Sequence, residues 1–190
     1  MNYNMKKTLL VILCCLFSTV IQAQNEHLKF MGIPLNGSIT AFQTKLQAKG
    51  IRYDAEGSRQ LKVGCRCFKG SFSGEKADFY VYYNEKTKIV YRAKAVITCL
   101  SKEKGEDKFD SFRSMLKAKY SDGIANDSEQ DGYPSLSILV PDSKHEKDLG
   151  YVGMYITNPP YSFMDEVYLH IDYEDIANKR VNQVNNMDDL

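Results

Sequence analysis

The chain has 190 residues, with 25 Lys and Arg against 24 Asp and Glu, a formal net charge of +1. So even a balance, with no basic run, argues against a nucleic-acid partner. The length suits one domain, or two small repeats sharing a core, without need of disulfide staples.

The N-terminus reads as a signal peptide over residues 1–23. Lys6 and Lys7 form a short basic segment, Thr8 to Phe17 is an apolar run, and Val20-Ile21-Gln22-Ala23 predicts cleavage before Gln24. A bilayer span needs about twenty apolar residues, more than this run holds. Neither Cys14 nor Cys15 follows the small residue expected before a lipid-attachment cysteine. The expected mature chain is soluble, without a membrane span, and periplasmic or extracellular. Removing 23 of 190 residues leaves 167, and loss of the two leader lysines turns the net charge to −1.

Two segments then read alike. Ala41-Phe42-Gln43-Thr44-Lys45-Leu46-Gln47-Ala48-Lys49 matches Ser111-Phe112-Arg113-Ser114-Met115-Leu116-Lys117-Ala118-Lys119 in its Phe, Leu, Ala and Lys positions. Ile39, Phe42 and Leu46 form one helical stripe; Phe109, Phe112, Leu116 and Tyr120 form the other. Ser38 is expected to cap the first helix, and Gly50 before Ile51 to stop it. Each helix precedes three strand-like runs. These are 61–68, 77–83 and 88–99 in the first half, and 133–140, 151–157 and 166–173 in the second. The fold class expected is α+β, two helix-plus-three-strand repeats at about 30–100 and 106–173. Their antiparallel sheet carries the helices on one face, in a single domain over 24–180. Residues 181–190 read as a polar tail that frays.

Alternation assigns the sheet faces. Pairing Tyr83 with Ile89 places Val81 opposite Tyr91, Phe79 opposite Ala93 and Ala77 opposite Ala95 on an apolar face. The other face then carries Asp78 opposite Lys94, Tyr80 opposite Arg92 and Tyr82 opposite Val90. In the second half Val152, Met154, Ile156, Val167, Leu169 and Ile171 point inward, with Tyr151, Tyr155, Tyr168, His170 and Asp172 outward. The candidate binding residues are therefore Tyr80, Tyr82, Arg92, Tyr155, Tyr168 and His170. Tyr and Arg are favoured at protein-binding hot spots, because they combine large contact area with a polar tip. Tyrosine is also simply a good strand former, and an antiparallel sheet commonly wets one face.

The chemical motifs are weaker. Cys65, Cys67 and Cys99 share the parity of inward residues, which predicts buried, unpaired thiols; a meander separates Cys99 from the others beyond the ~7 Å Cα limit for a bridge. His27, His145 and His170 lie at no metal-ligand spacing from them, so no metal or cofactor is expected. Gly70-Ser71-Phe72-Ser73-Gly74 lacks the central serine of a nucleophile elbow and reads as a turn. Asp127-Ser128-Glu129-Gln130-Asp131-Gly132 resembles the start of a calcium loop, but its twelfth position is Ile138 where a carboxylate is needed; it reads as a solvated acidic loop. Asp165, Glu166 and Asp172 stand near strand ends, where a carboxylate pair for hydrolysis depends on their separation.

The opening Leu28-Lys29-Phe30-Met31-Gly32-Ile33-Pro34-Leu35-Asn36-Gly37, with the helix through Phe42 and Leu46 and then Gly50, resembles a group of small exported bacterial proteins of uncharacterised activity. That resemblance implies shared architecture only. The doubled helix-and-sheet plan also resembles the β-lactamase inhibitor protein, whose sheet face grips its target. The likeness lies in element order alone and transfers no residue. Three readings compete: a non-enzymatic, inhibitor-like binding module using the aromatic sheet face toward another exported or envelope protein, a small periplasmic hydrolase, and a structural or assembly component of the envelope.

Overall fold

The computed structural model describes residues 26–159 and 165–187; the leader and its cleavage point lie outside the described residues. The fold is mixed α+β. Strands β1 (Lys29–Phe30) and β2 (Ile33–Pro34) form a small hairpin, followed by helix α1 (Ile39–Ala48), β3 (Arg52–Asp54), the short helix α2 (Ala55–Arg59), β4 (Cys65–Phe72), β5 (Glu75–Tyr83) and β6 (Val90–Cys99). Helix α3 (Lys102–Lys119) then leads to β7 (Ile124–Gln130), β8 (Tyr133–Pro141), β9 (Asp148–Thr157), β10 (Val167–Asp175) and α4 (Ile176–Met187). Eight strands make one antiparallel sheet in the order β3-β4-β5-β6-β10-β9-β8-β7. Each long helix thus precedes four strands, where the sequence suggests three. No helix among the described residues is long and apolar enough to cross a membrane.

The helices start and stop as their sequences direct. Ser38 Oγ accepts from the Ala41 amide, and Ser101 Oγ from the Lys104 amide. Gly50 turns left-handed at φ +80°, so the Ile51 amide reaches back to the Leu46 carbonyl and Ile51 is fully buried. Ile39, Phe42 and Leu46 of α1 and Phe109, Phe112 and Leu116 of α3 join one core with Phe68, Phe79, Ile97, Met154 and Ile171 of the sheet. Phe30 is fully buried at the centre of an aromatic cluster, its ring 5.9 Å from Phe72, 6.1 Å from Phe79 and 5.2 Å from Tyr173.

Several sequence expectations are corrected. The polar stretch at 127–132 is mostly edge strand: β7 pairs with β8, and Asp127 receives Arg113 Nε at 2.7 Å and the Lys117 ammonium from α3. Those hydrogen bonds pull its carboxyl down to about 2. The turn expected across 70–74 is confined to Ser73 and Gly74, because Gly70–Phe72 continue β4. A last helix runs from Ile176 through Met187, so the first part of the tail expected at 181–190 is helical. Asp175 accepts the Asn178 amide through Oδ1 at 3.0 Å, and Asn182 Oδ1 accepts from Asn84 Nδ2 at 3.0 Å, fixing the helix to the β5–β6 turn.

The β5–β6 register is slipped by two residues from the expected one. Phe79 faces Ala95, Val81 faces Ala93, Tyr80 faces Lys94 and Tyr82 faces Arg92, while Asp78 faces Val96. A two-residue slip keeps every side chain on its own face, so alternation is blind to it. The cause lies at the turn. Asn84 Oδ1 accepts the amides of Lys86 and Thr87, Lys88 turns left-handed, and Lys88 and Val90 bond to Ile39 and Gly37 instead of to β5. An irregularity between Tyr82 and Tyr83 pairs Tyr83 with Val90, which is buried instead of facing outward as the sequence suggests.

Candidate functional site

The sheet face opposite the core gathers all six expected residues, in two groups on the four central strands. Tyr82 and Arg92 face each other on β5 and β6, with the guanidinium 5.0 Å from the ring centre. Tyr80 does not contact Arg92, as the expected register required; its ring carries the Lys94 ammonium at 5.6 Å. On β9 and β10, Tyr155 faces His170 and stacks on it at 4.7 Å and 11°, while Tyr168 meets the same imidazole edge-on at 6.4 Å.

Asp172 joins the groups. It faces Lys94 across the β6–β10 ladder, and its carboxylate accepts both Nε, at 2.9 Å, and the terminal nitrogen of Arg92. Their side chains are 32% and 12% exposed, so a fork-to-fork ion pair sits half-sunk in the aromatic face. Burial raises the hydroxyl pKa of Tyr80 and Tyr155 and lifts Tyr82 to about 12. These tyrosines are neutral hydrogen-bonding groups at physiological pH.

His170 is buried, at 9% exposure. Its Nε2 shares a hydrogen with Thr157 Oγ1 at 2.8 Å, whereas Nδ1 is buried without a hydrogen-bond partner among the described residues. Burial, aided by the Lys94 charge, pushes the imidazole down to about 4 from an ordinary value of 6.5, against the opposing pull of Asp172. An unfolded chain therefore takes up this proton first as pH falls. Stability owed to neutral His170 is complete above 6.5 and lost progressively between 6.5 and 4. Urea titrations should show the protein losing about 1–2 kcal/mol more than His170→Gln between pH 7 and pH 5. Equal losses would mean that His170 is not desolvated.

The cysteines are partly corrected. Cys65 and Cys67 face Tyr82 and Tyr80, so they belong to this outer face and not to the helix side. The chain turns left-handed at Gly64 (φ +86°), and Val63, 73% exposed, is no part of the strand from which parity was counted. Phe68 and Phe72 are the inward residues of β4. Cys67 is nevertheless buried, with Gly57 of α2 above it, while Cys65 is half-buried; Cys99 is buried in the core and all three thiols are free. Burial lifts both Cys65 and Cys67 to about 11, which keeps them protonated and poorly nucleophilic. Thiol labelling of the mature protein at pH 7 should be slow when folded and reach three equivalents in denaturant. One equivalent would reveal a disulfide.

Elsewhere the titratable groups serve the fold or stand apart. His27 Nδ1 and the Leu28 amide both bond Asp175 Oδ2, at 3.0 and 3.1 Å, tying the N-terminal segment to the start of α4. An open cavity of about 480 Å³ is lined by Ser101, Glu103, Tyr133, Asp165 and Glu166 at one end of the sheet. Asp172, ion-paired on the outer face, does not join Asp165 and Glu166 there. Among the described residues no three His, Cys, Asp or Glu gather as metal ligands. Sequence reasoning left Lys94 and Asp172 out of the candidate site, although alternation already placed both outward.

A scan of protein-family models finds no family that matches the chain. Searches of curated proteins and of solved structures likewise return no match.

Proposed function

We propose that this is an exported, non-enzymatic binding module, released from its leader into the periplasm or beyond, whose outer sheet face grips another exported or envelope protein. The observation that carries this reading is the cross-braced aromatic surface on β5, β6, β10 and β9. Tyr80, Tyr82, Tyr155 and Tyr168 stand around Arg92, Lys94, Asp172 and His170, with side chains held by stacking and charge. Rigid Tyr and Arg groups lose little freedom on binding, which is what makes them effective anchors. The mirrored strand order about β6 and β10 further supports an ancestral duplication of a helix with four strands, whose long helices share the face opposite this surface.

The test is affinity capture from an envelope extract with the mature protein and its variants. Tyr80→Ala with Tyr168→Ala should keep the circular dichroism spectrum and lose most capture of the partner. Each central tyrosine anchor contributes on the order of 2 kcal/mol, or about thirtyfold in affinity. Met115→Ala, an exposed change on α3, should capture normally. Full capture by the folded double variant would move the function off this face.

A further inference from the structure

We infer that the cavity walled by helix α3, the β1–β2 turn and the end of β4 binds a single-chain aliphatic carboxylate, with Lys119 at its head group. This site goes beyond the outer-face reading and lies on the helix side of the sheet, away from that surface. The cavity holds about 400 Å³, inside the ~300–1,000 Å³ typical of small-ligand sites. So small a volume suits one hydrocarbon chain and not the two of a phospholipid.

Helical spacing builds most of the lining. Phe112, Met115, Leu116 and Lys119 recur at i, i+3, i+4 and i+7, one face of α3. Phe112 and Leu116 are buried against the sheet, but Met115 stays 48% exposed, so the apolar stripe runs past the core into the cavity. Phe72 and Tyr173, both buried, line it from the sheet, and Met31 reaches it from the β1–β2 turn. Two methionines make an adaptable apolar wall, which fits a flexible chain better than a rigid ring.

Among the described residues of the lining, Lys119 carries the only charge. Its ammonium lies 4.9 Å from the Tyr120 ring centre and 5.7 Å from that of Tyr173. Glu26, Asp122 and Asp142 stand on neighbouring cavities that Lys119 also borders, and not on this one. Glu26 accepts from the Ser143 amide and hydroxyl, and Asp142 from the Glu146 amide. The cavity thus presents an apolar wall with one cation and no carboxylate, the complement of a hydrocarbon that ends in a carboxylate. Burial of the chain supplies most of the affinity. The exposed ammonium sets the preferred head group, since ion pairs open to water add little in total.

The test is NMR of the mature protein labelled with 13C-methyl methionine and titrated with decanoate. The Met31 and Met115 methyl resonances should shift together and saturate with 1:1 stoichiometry, at a Kd below about 1 mM. Met154, buried in the core and no part of the lining, should stay unshifted. Octanoate, two methylenes shorter, should bind about tenfold more weakly. Decyltrimethylammonium, the same chain with the opposite charge, should bind about fivefold more weakly than decanoate, and Lys119→Gln should remove that difference. Vesicles of phosphatidylglycerol should leave both methyls unshifted. Shifts that do not saturate, or that fall on Met154 and not on Met31 and Met115, overturn the site. Equal affinity for decanoate and decyltrimethylammonium, or a preference that survives Lys119→Gln, overturns the carboxylate as its ligand. Equal shifts with the vesicles overturn the single chain.

Discussion

Phe30→Ala should destabilise the protein by about 4 kcal/mol in urea unfolding, among the largest effects of any single truncation. The ring is fully buried and meets Phe72, Phe79 and Tyr173, residues of three different strands. Removing it forfeits burial of a whole aromatic side chain and leaves a cavity whose walls belong to both halves of the sheet. Phe112→Ala, at 5% exposure and in contact with Phe72, should cost about 3 kcal/mol. Tyr82→Ala, on the outer face, should cost far less. Similar melting of all three variants would contradict the assignment of inner and outer faces.

Arg92→Ala should cost about 2–3 kcal/mol, mainly because the Asp172 carboxylate would remain in the face without its guanidinium. Asp172→Ala alone should also destabilise. The double variant should lose much less than the sum of the two, since removing both partners leaves no orphaned charge. A double-mutant cycle by denaturant titration measures this coupling directly; additive losses would mean that the pair is solvated and contributes little. The same geometry makes Arg92 a poor probe of binding. Its loss disturbs the fold around Asp172, whereas Tyr80 and Tyr168 can be truncated with less disturbance to the face.

What the residues reveal on their own follows from which physical signal each element carries. Val152, Met154, Ile156, Val167, Leu169 and Ile171 alternate cleanly, and all are buried. The outward set follows by parity, so the candidate face was legible without coordinates. Its contacts were not. The two-residue slip of β5 on β6 keeps parity intact, and the turn at Asn84 that sets it depends on bonds to Gly37 and Ile39, some fifty residues away in sequence. Parity counted from Val63 puts Cys65 and Cys67 on the wrong side because Gly64 restarts the strand, whereas Phe68 and Phe72 alternating with Lys69 and Ser71 carry the correct phase. Strand β7 was hidden because Asn126, Asp127 and Ser128 are poor strand formers; pairing with β8 and the Arg113 and Lys117 contacts override local preference. Lys94 reads as an outward residue from alternation, but its place across from Asp172 depends on the β6–β10 pairing.

The central claim is that the outer sheet face, and not the helix side, meets the partner. Site-specific photo-crosslinking in cells tests it most directly, with benzoylphenylalanine placed at Tyr80 or Tyr168 on one side and at Met115 on the other. The account predicts a discrete protein adduct from positions 80 and 168, absent from 115. An adduct formed from position 115, with none from 80 or 168, would contradict it.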